Sequence, residues 1–359
     1  MFDIGGLFAG AKQLVGLDIG SSCIKLAEMQ DTSKGHVLSR FSHIPLAKGV
    51  IVDGVVAQPE LLTKTIKALF KQSGCKRKKI VTSISGHAVI VKKVTIAQMN
   101  EDELRELIRD EAGKYLPFED MATVDYDCQI IGENPYNPNQ MEVLLVAAKK
   151  EIIQGYTAVI EAAGLIPVIM DVDSFALETM YEENYDFEEN DVDILVNIGA
   201  SITNLNAVKG GVSIFTRDFT LGVNSVTDMI AKKLDVPFEK AEKAKVEGFG
   251  EDEQAQRLFR EGMIAYADPI CSEIERSVDY FRSTFGAETI KHIFISGGGA
   301  MIPGIAADLA QRLGIETEII NPFKKIAFDK RSLKQGTAEQ IGPIAAVSVG
   351  LALRKIGDK

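Results

Sequence analysis

A polar turn near the start of the chain carries residue types that suit the binding of an anion. An apolar run ends in the motif DIGSS, which contains Asp18, Gly20, Ser21 and Ser22, and Lys25 follows three residues later. Glycine adopts backbone conformations closed to other residues, so backbone N–H groups can approach an anion closely. Taken alone, the motif is also typical of an ordinary hairpin with a polar turn.

A second turn repeats the first one past the middle of the chain. The segment LVNIGASITNLNAV aligns with GLDIGSSCIKLAEM so that Asn197, Gly199 and Ser201 fall on the acid, the glycine and the second serine of the first turn. An apolar strand precedes and follows each turn, which predicts two β-hairpins. Two such turns that face each other would hold a polyphosphate from both sides.

A run of three glycines forms the third candidate element. In HIFISGGGAMIPG, a buried strand over 293–295 meets Gly297, Gly298 and Gly299, and a helix is expected to begin near Pro303. The run matches neither the GxGxxG dinucleotide motif nor the GxxxxGK[ST] phosphate loop. It would let a nucleoside lie flat on the backbone, and it is equally typical of a tight strand-to-helix turn.

Composition narrows the classes of function. The chain has 359 residues, 46% of them hydrophobic and 25% charged, with a formal net charge of −11. This acidic balance argues against nucleic acid as a partner, because binding its backbone needs a basic face. The four cysteines and four histidines are dispersed, which predicts reduced thiols and no zinc centre. No run reaches the roughly 20 apolar residues needed to span a bilayer.

Strand-like and helix-like segments alternate along the chain, which is typical of an α/β protein. An amphipathic helix is expected from Pro59 to Gly74, and a separate small α+β unit over residues 85–170. That unit contains a helix capped by Asn100 and Glu103. The acidic stretch 181–193 is expected to be a linker into the second half. Further helices are expected over 223–234, 239–247 and 255–285, the last divided by Pro269.

The ordered set of DIGSS, NIGAS and SGGGAMIPG, followed by a helix of small residues around Pro343, resembles the actin-like ATPase superfamily. Within it the chain is most similar to the PilM family of type IV pilus assembly proteins. The segments that carry this resemblance are QLVGLDIGSSCIKLAEM, EAGKYLPFE, DVDSFAL, SGGGAMIPG and INPF. The resemblance implies an α/β, two-lobed, actin-like (ribonuclease H-like) ATPase fold with the relocated small subdomain found in FtsA.

The resemblance also implies domain boundaries. The first lobe would cover 1–190, with its core at 13–84 and 171–190, the small subdomain at about 85–170, and completion by a C-terminal helix at 342–359. The second lobe would cover 191–341, with its core at about 191–215 and 265–341 and an adenine-side helical subdomain at about 216–264.

ATP and Mg²⁺ are the implied cofactors, bound between the lobes. By resemblance, Asp18 would hold Mg²⁺ through water, and Gly20, Ser21 and Ser22 would line the phosphates. Lys25 would offset the charge of the β- and γ-phosphates.

On the nucleoside side, the resemblance places Met301 and the three glycines beneath the adenosine. Glu242 and Lys245 fall where relatives have a ribose-contacting acid and an adenine-flanking base. An exposed, charged helix face is the alternative interpretation of these last two residues.

From the second lobe, Gly199 and Ser201 would close over the phosphates. Asn197 stands where relatives that hydrolyse ATP readily have Asp, and a neutral amide cannot accept a proton from water. Asp171 and Asp173 are candidate bases, and both also fit strand-end or capping residues. The sequence therefore predicts ATP binding with slow or absent hydrolysis.

For partners, the resemblance implies the cytoplasmic N-terminal tail of the membrane protein PilN, held in a groove beside the small unit, together with other pilus platform and motor proteins and self-association. The chain would be cytoplasmic, at the face of the inner membrane, and would reach the membrane only through these partners. Two alternatives stay open, an FtsA-like membrane-associated filament protein and a small-molecule kinase. The chain ends directly after the last helix of the superfamily, without the membrane helix usual in FtsA, which favours PilM.

Overall fold

The computed structural model describes residues 2–3, 14–86, 89–134, 136–247, 253–286, 288–333 and 335–357. The strands in these ranges are β1 Phe2–Asp3, β2 Val15–Ile19, β3 Cys23–Thr32, β4 Gly35–Pro45, β5 Ile51–Val52, β6 Val55–Val56, β7 Lys79–Ile84, β8 Val89–Ala97, β9 Val124–Glu133, β10 Gln140–Lys149, β11 Ile166–Val172, β12 Val192–Ile198, β13 Thr203–Lys209, β14 Val212–Phe219, β15 Ile290–Ser296, β16 Glu316–Ile319 and β17 Ala327–Phe328. The helices are α1 Pro59–Ser73, α2 Glu101–Tyr115, α3 Lys150–Ala162, α4 Asp173–Asn184, α5 Val223–Leu234, α6 Phe238–Glu247, α7 Glu253–Thr284, α8 Ile305–Leu313 and α9 Ala338–Leu353.

Two sheets with the same core order build two lobes. The first sheet has the order β1-β11-β7-β2-β3-β4-β17 and the second has the order β14-β13-β12-β15-β16. From β4 to β11, two antiparallel pairings are followed by two parallel ones, and the pairings from β14 to β16 repeat this pattern. The repeat seen in the sequence is therefore a repeat of the whole core sheet.

Helices α4 and α9 form the layer between the two sheets. Their apolar residues share one buried cluster with Phe41 of the first sheet and Phe294 of the second. A Cβ added at Gly350 in α9 would lie 1.7 Å from the carbonyl oxygen of Ala176 in α4, so only glycine allows this close approach. The layer joins the two lobes through buried apolar contacts.

The first-lobe helices confirm one prediction and correct another. As predicted, helix α1 begins with Pro59 and ends before Gly74. Gly74 has φ +69°. Helix α3 was expected to close the small unit, but Ile153 and Tyr156 pack into the first-lobe core against α1. Strand β11 also belongs to the first-lobe sheet. The boundary near residue 170 is therefore wrong, and the small unit comprises residues 89–149.

The small unit is a three-stranded antiparallel sheet covered by α2. Its strand order is β8-β10-β9, and α2 begins with the predicted capping box between Asn100 and Glu103. Val143 and Leu145 of β10 face α2, while Val146 and Ala148 face the first-lobe core. Both faces of β10 are thus buried, which fixes the unit on the first lobe.

The second-lobe helices confirm α5 and correct the expected break at Pro269. Helix α7 continues through Pro269, because Ile270 and Ile274 on the same helix pack into the second-lobe core. The expected edges of the helical subdomain at 216 and 264 fall inside β14 and α7. These edges are therefore misplaced.

Two more expectations were wrong. The stretch 181–193 is not a linker, because its first residues complete α4 and the buried ring of Tyr181 stacks on Tyr185 and Phe187. Helix α9 begins at Ala338 rather than 342, since Thr337 and Gln340 form a capping box. Pro343 consequently lies one turn inside the helix.

Candidate functional site

The two polar turns have the same backbone closure. In the first hairpin Asp18 is paired with Lys25, and in the second Asn197 is paired with Asn204. The N–H of Gly20 donates to the carbonyl of Cys23 at 3.2 Å, and the N–H of Gly199 donates to that of Ile202 at 3.0 Å. The alignment made from the sequence therefore matches the register of the strands.

The turns also touch each other. The hydroxyl of Ser21 donates to Ser201 Oγ at 3.0 Å, although 180 residues separate them along the chain. Ser201 Oγ accepts a second bond from Asn224 Nδ2 of α5, also at 3.0 Å. The first and second turns thus border one cleft between the lobes.

A paired cation and carboxylate stand at the first turn. Lys25 Nζ lies 3.0 Å from Asp18 Oδ2, and the two side chains are only 18% and 10% exposed. Burial lowers the pKa of Lys25, but the Asp18 carboxylate raises it, and the net shift is upward. Lys25 therefore stays charged, as the binding of phosphate oxygens requires.

Asp173 lies at the start of α4, close to this pair. Ser83 Oγ donates to Asp173 Oδ1 at 2.5 Å. Burial, and then the charge of Asp18, raise the pKa of Asp173 to about 6. Such a carboxyl is mostly ionised at neutral pH and basic enough to accept a proton from water.

Asp171, the other candidate base, faces a different partner. Arg354, just after α9, approaches it with Nε at 2.6 Å from Oδ2 and Nη2 at 3.3 Å from Oδ1. The Asp171 side chain is fully buried. These contacts fit the strand-end interpretation of Asp171, in which its carboxylate joins β11 to the end of α9.

The three glycines differ in what surrounds them. A Cβ at Gly297 would lie 2.4 Å from the carbonyl oxygen of Ile198, and one at Gly299 would lie 2.1 Å from Ile198 Cγ2. A Cβ at Gly298 meets nothing within 4 Å. Two glycines are thus required for packing, and Gly298 leaves space that a ligand could fill. Met301, at the end of this short 3₁₀ turn, is 43% exposed.

Glu242 and Lys245 form one polar cluster with Thr227. Lys245 Nζ lies 2.6 Å from Glu242 Oε2 and 2.9 Å from Thr227 Oγ1, so α6 is tied to α5. The Lys245 side chain is 11% exposed. The structure brings the pair together and does not place Lys245 on an open helix face, while its role toward a base or ribose stays a prediction.

A family model described as type IV pilus assembly protein PilM matches residues 16–356. The chain belongs to the PilM family. A solved structure described as the PilM–PilN type IV pilus biogenesis complex is similar, with a TM-score of 0.82 and 28% identity over 95% of this chain and 98% of the other. The family resemblance predicted from the sequence is confirmed.

More distant structures share the fold of this PilM-family chain. The ethanolamine utilization protein EutJ from Carboxydothermus hydrogenoformans has a TM-score of 0.56 and 16% identity, covering 98% of this chain and 92% of its own. MreB5 of Spiroplasma citri, solved with ADP, has a TM-score of 0.50 and 13% identity, covering 94% of each chain. These similarities confirm the predicted actin-like fold and show the fold alone.

ATP and Mg²⁺, which this fold implies, fit the residues of the PilM-family cleft. Asn204, 3% exposed beside the second turn, has an Nδ2 donor without a partner among the described residues. A buried donor of this kind suits an anionic ligand. No described group of three or more His, Cys, Asp or Glu side chains is arranged to hold a metal ion directly. The Asp18 carboxylate, beside the first turn, is the kind of oxygen donor that Mg²⁺ takes together with water and phosphate oxygens.

Sequence reasoning missed Asn204, Ser83 and Asn224. For Asn204 the signal was present, because Lys25 follows Asp18 by seven residues and Asn204 follows Asn197 by the same number. Ser83 and Asn224 lie on β7 and α5, outside both turns, and only the tertiary fold brings them to the cleft.

The small unit of this PilM-family chain carries a surface groove of about 480 Å³ between α2 and β9. Among the described strands β9 pairs only with β10, and the short strand β1 also contacts it. The groove is lined by Arg105, Ile108, Arg109, Met121, Val124, Asp125, Tyr126, Asp127, Cys128 and Lys150. It therefore combines an apolar floor with charges of both signs.

Within the described residues, every helix falls short of the length and apolar character needed to cross a membrane.

Proposed function

We propose that this PilM-family chain binds ATP with Mg²⁺ between its lobes and, at its small unit, the cytoplasmic tail of a PilN-type membrane protein. The observation that carries the nucleotide half is the contact between Ser21 and Ser201, which brings the two turns to one point of the cleft. Nucleotide state would set the angle between the lobes, and that angle would govern the docking of partners.

The first lobe would supply the charged contacts to the nucleotide. The N–H groups from Gly20 to Ser22 and the Lys25 ammonium bind phosphate oxygens in this proposal, and Asp18 holds Mg²⁺ through water. The bound ion neutralises charge on the phosphates. Phosphate oxygens would replace the present bond between Ser21 and Ser201, because both hydroxyls point to the same space.

The second lobe would supply uncharged contacts to the phosphates. The phosphates would be faced by Gly199, Ser201 and the unpartnered Nδ2 of Asn204. The adenosine would lie against Gly298 and Met301. Glu242 and Lys245 line its ribose and base. With Asn197 in place of a carboxylate, Asp173 is the candidate proton acceptor, and we expect slow hydrolysis.

The groove beside α2 would take the partner's tail. An extended peptide can pair with the open edge of a strand while side-chain pockets select its sequence. The groove floor formed by Ile108 and Met121 offers such a pocket, and Arg109 and Lys150 offer charge for an acidic group. A similar protein was solved as a PilM–PilN complex, which supports this partner. Through it the chain would be held at the cytoplasmic face of the inner membrane, next to other pilus platform and motor proteins.

Isothermal titration calorimetry with ATP and Mg²⁺ tests the nucleotide half. We expect saturable binding by the wild type and affinity lower by about tenfold or more in Asp18→Ala, since hydrogen bonds to charged groups contribute about 1.5–3 kcal/mol. Asp110→Ala, which removes an exposed carboxylate from α2, is the control and should bind like the wild type. Absence of any ATP binding by the wild type would contradict the proposal. The PilN half is tested by titrating a synthetic tail peptide, for which saturable binding is expected.

A further inference from the structure

Asp218 of the second lobe reaches across to the first lobe. It lies near the end of β14, and its Oδ2 accepts a hydrogen bond from the N–H of Gly86 at 2.6 Å. Gly86 has φ +74°, and a Cβ added there would lie 2.7 Å from Ile202 Cδ1, beside the second turn. Two residues of the second lobe, Asp218 and Ile202, therefore lie directly beside Gly86.

Gly86 stands where the chain leaves the first-lobe sheet for the small unit. It follows β7 by two residues, and β8, the first strand of the small unit, begins at Val89. A contact at Gly86 therefore acts on the segment that leads into the small unit.

The same segment is bonded to the cleft. Ser83 Oγ donates a hydrogen bond to the carboxylate of Asp173 at 2.5 Å. Residues 83–86 are thus held at one end by Asp173, beside the first turn, and at the other end by Asp218 of the second lobe. A relative movement of the lobes must change one of these two sets of bonds.

The small unit also touches the second lobe directly. Strand β8 runs close to β14, and Lys93 Nζ of β8 lies 5.7 Å from the ring centroid of Phe285, just after α7. The small unit sits on the first lobe through β10 and α3, as described above. Its contacts therefore span both lobes.

We propose that Asp218 is a positioning residue that couples the opening of the cleft to the small unit. The inference rests on the proposed function and adds the route by which nucleotide and partner tail affect each other. A triphosphate between the turns separates Ser21 from Ser201, which moves the second turn and β14 relative to β7. Asp218 transmits this displacement to Gly86 and hence to the start of β8.

Coupling between two binding sites is reciprocal, because each ligand changes the affinity for the other by the same factor. One ratio of affinities therefore measures it. The affinity for ATP and Mg²⁺ is measured by calorimetry with and without a saturating PilN-tail peptide, and the ratio is the coupling factor. We expect a change of about fivefold or more in the wild type, in either direction, as is typical of coupled sites. In Asp218→Ala the factor should fall to within about twofold of one, because the acceptor for the Gly86 N–H is gone.

Two matched variants separate this route from a general weakening of the lobe contacts. Asp218→Asn keeps an oxygen that accepts from Gly86 and should retain the coupling. Asp228→Ala removes a different cross-lobe contact, the 3.1 Å pair with Lys48, which does not involve the small unit, and this variant should also retain the coupling. Thermal unfolding shows which variants are folded. If Asp218→Ala fails to fold, Ser83→Ala, which frees the other end of the segment from Asp173, carries the test and should also lower the coupling factor.

Two outcomes would overturn the inference: a wild type that binds both ligands with a factor of one, or a folded Asp218→Ala with the wild-type factor. If the wild type binds neither ATP nor the peptide, the proposed function itself fails. The two failures are thus distinguishable.

Discussion

The polar residues of the two hairpins correspond in position but differ in charge. On the first hairpin Asp18 forms an ion pair with Lys25. On the second, the side-chain amide of Asn197 donates a 3.1 Å hydrogen bond to that of Asn204. A buried ion pair can exchange partners with an incoming anion and cation, whereas an amide pair can only donate and accept hydrogen bonds. At the two turns, the first lobe is therefore the charged side of the cleft and the second lobe the neutral side.

Asp173 gives the site a pH dependence. Its pKa is raised from 3.8 to about 6, so the folded protein holds this proton more tightly than the unfolded chain. The contribution to stability is full below about pH 4 and is lost as the pH rises through about 6. Asp173→Asn should therefore be more stable than the wild type at pH 7, by about 3 kcal/mol, and similar to it at pH 4.

Urea unfolding at pH 4 and pH 7 measures this difference. Asp110→Asn, a change to an exposed carboxylate on α2, should leave the free energy of unfolding unchanged at both values. A less stable Asp173→Asn at pH 7 would show that the ionised carboxylate is satisfied in the folded state.

At the scale of elements, the short turn between β15 and α8 separates structural glycines from an open one. Gly299→Ala should destabilise the protein by about 1–3 kcal/mol through overpacking, because its Cβ would lie 2.1 Å from Ile198. Gly298→Ala should leave the free energy of unfolding within about 0.5 kcal/mol of the wild type, since nothing lies within 4 Å of the added carbon.

The same pair tests where the adenosine lies. Gly298→Ala should weaken ATP binding in calorimetry, because the methyl group would occupy the space proposed for the nucleoside. Wild-type affinity in this variant would place the adenosine elsewhere.

Elements with local signals could be predicted from the sequence. Pro59 and Gly74 mark the ends of α1, and Asn100 with Glu103 marks the start of α2, since capping depends on neighbouring residues only. The amphipathic pattern of α3 predicted a packed helix but could not say which sheet it covers. The residues of the site differ in the same way. Both turns are local motifs that could be predicted, whereas the position of Asp218 depends on the register of three strands.

The supposed linker shows why non-local packing escaped prediction. Acidic residues dominate the stretch 181–193, and they suggested an exposed segment. Its aromatic rings pack instead on Phe294, with the Tyr185 centroid 4.7 Å away, more than 100 residues further along the chain. A composition average cannot reveal a partner that only the fold supplies.

At the scale of the whole molecule, two different kinds of contact join the lobes, one apolar and buried and the other polar. The layer of α4 and α9 is a buried apolar cluster shared by both sheets. Across the cleft the bonds are polar, among them Ser21 with Ser201 and the exposed pair of Lys48 with Asp228. Exposed pairs contribute about 0–1 kcal/mol each, so the cleft side opens more easily than the buried layer. This arrangement is typical of a hinge.

A crystal structure with a non-hydrolysable ATP analogue and Mg²⁺ tests the central claim most directly. We expect the terminal phosphates between Gly20–Ser22 and Gly199–Ser201, with Lys25 on a phosphate oxygen and the 3.0 Å bond between Ser21 and Ser201 broken. A nucleotide bound away from both turns, or a saturated crystal in which the two serines are still bonded, would contradict the account.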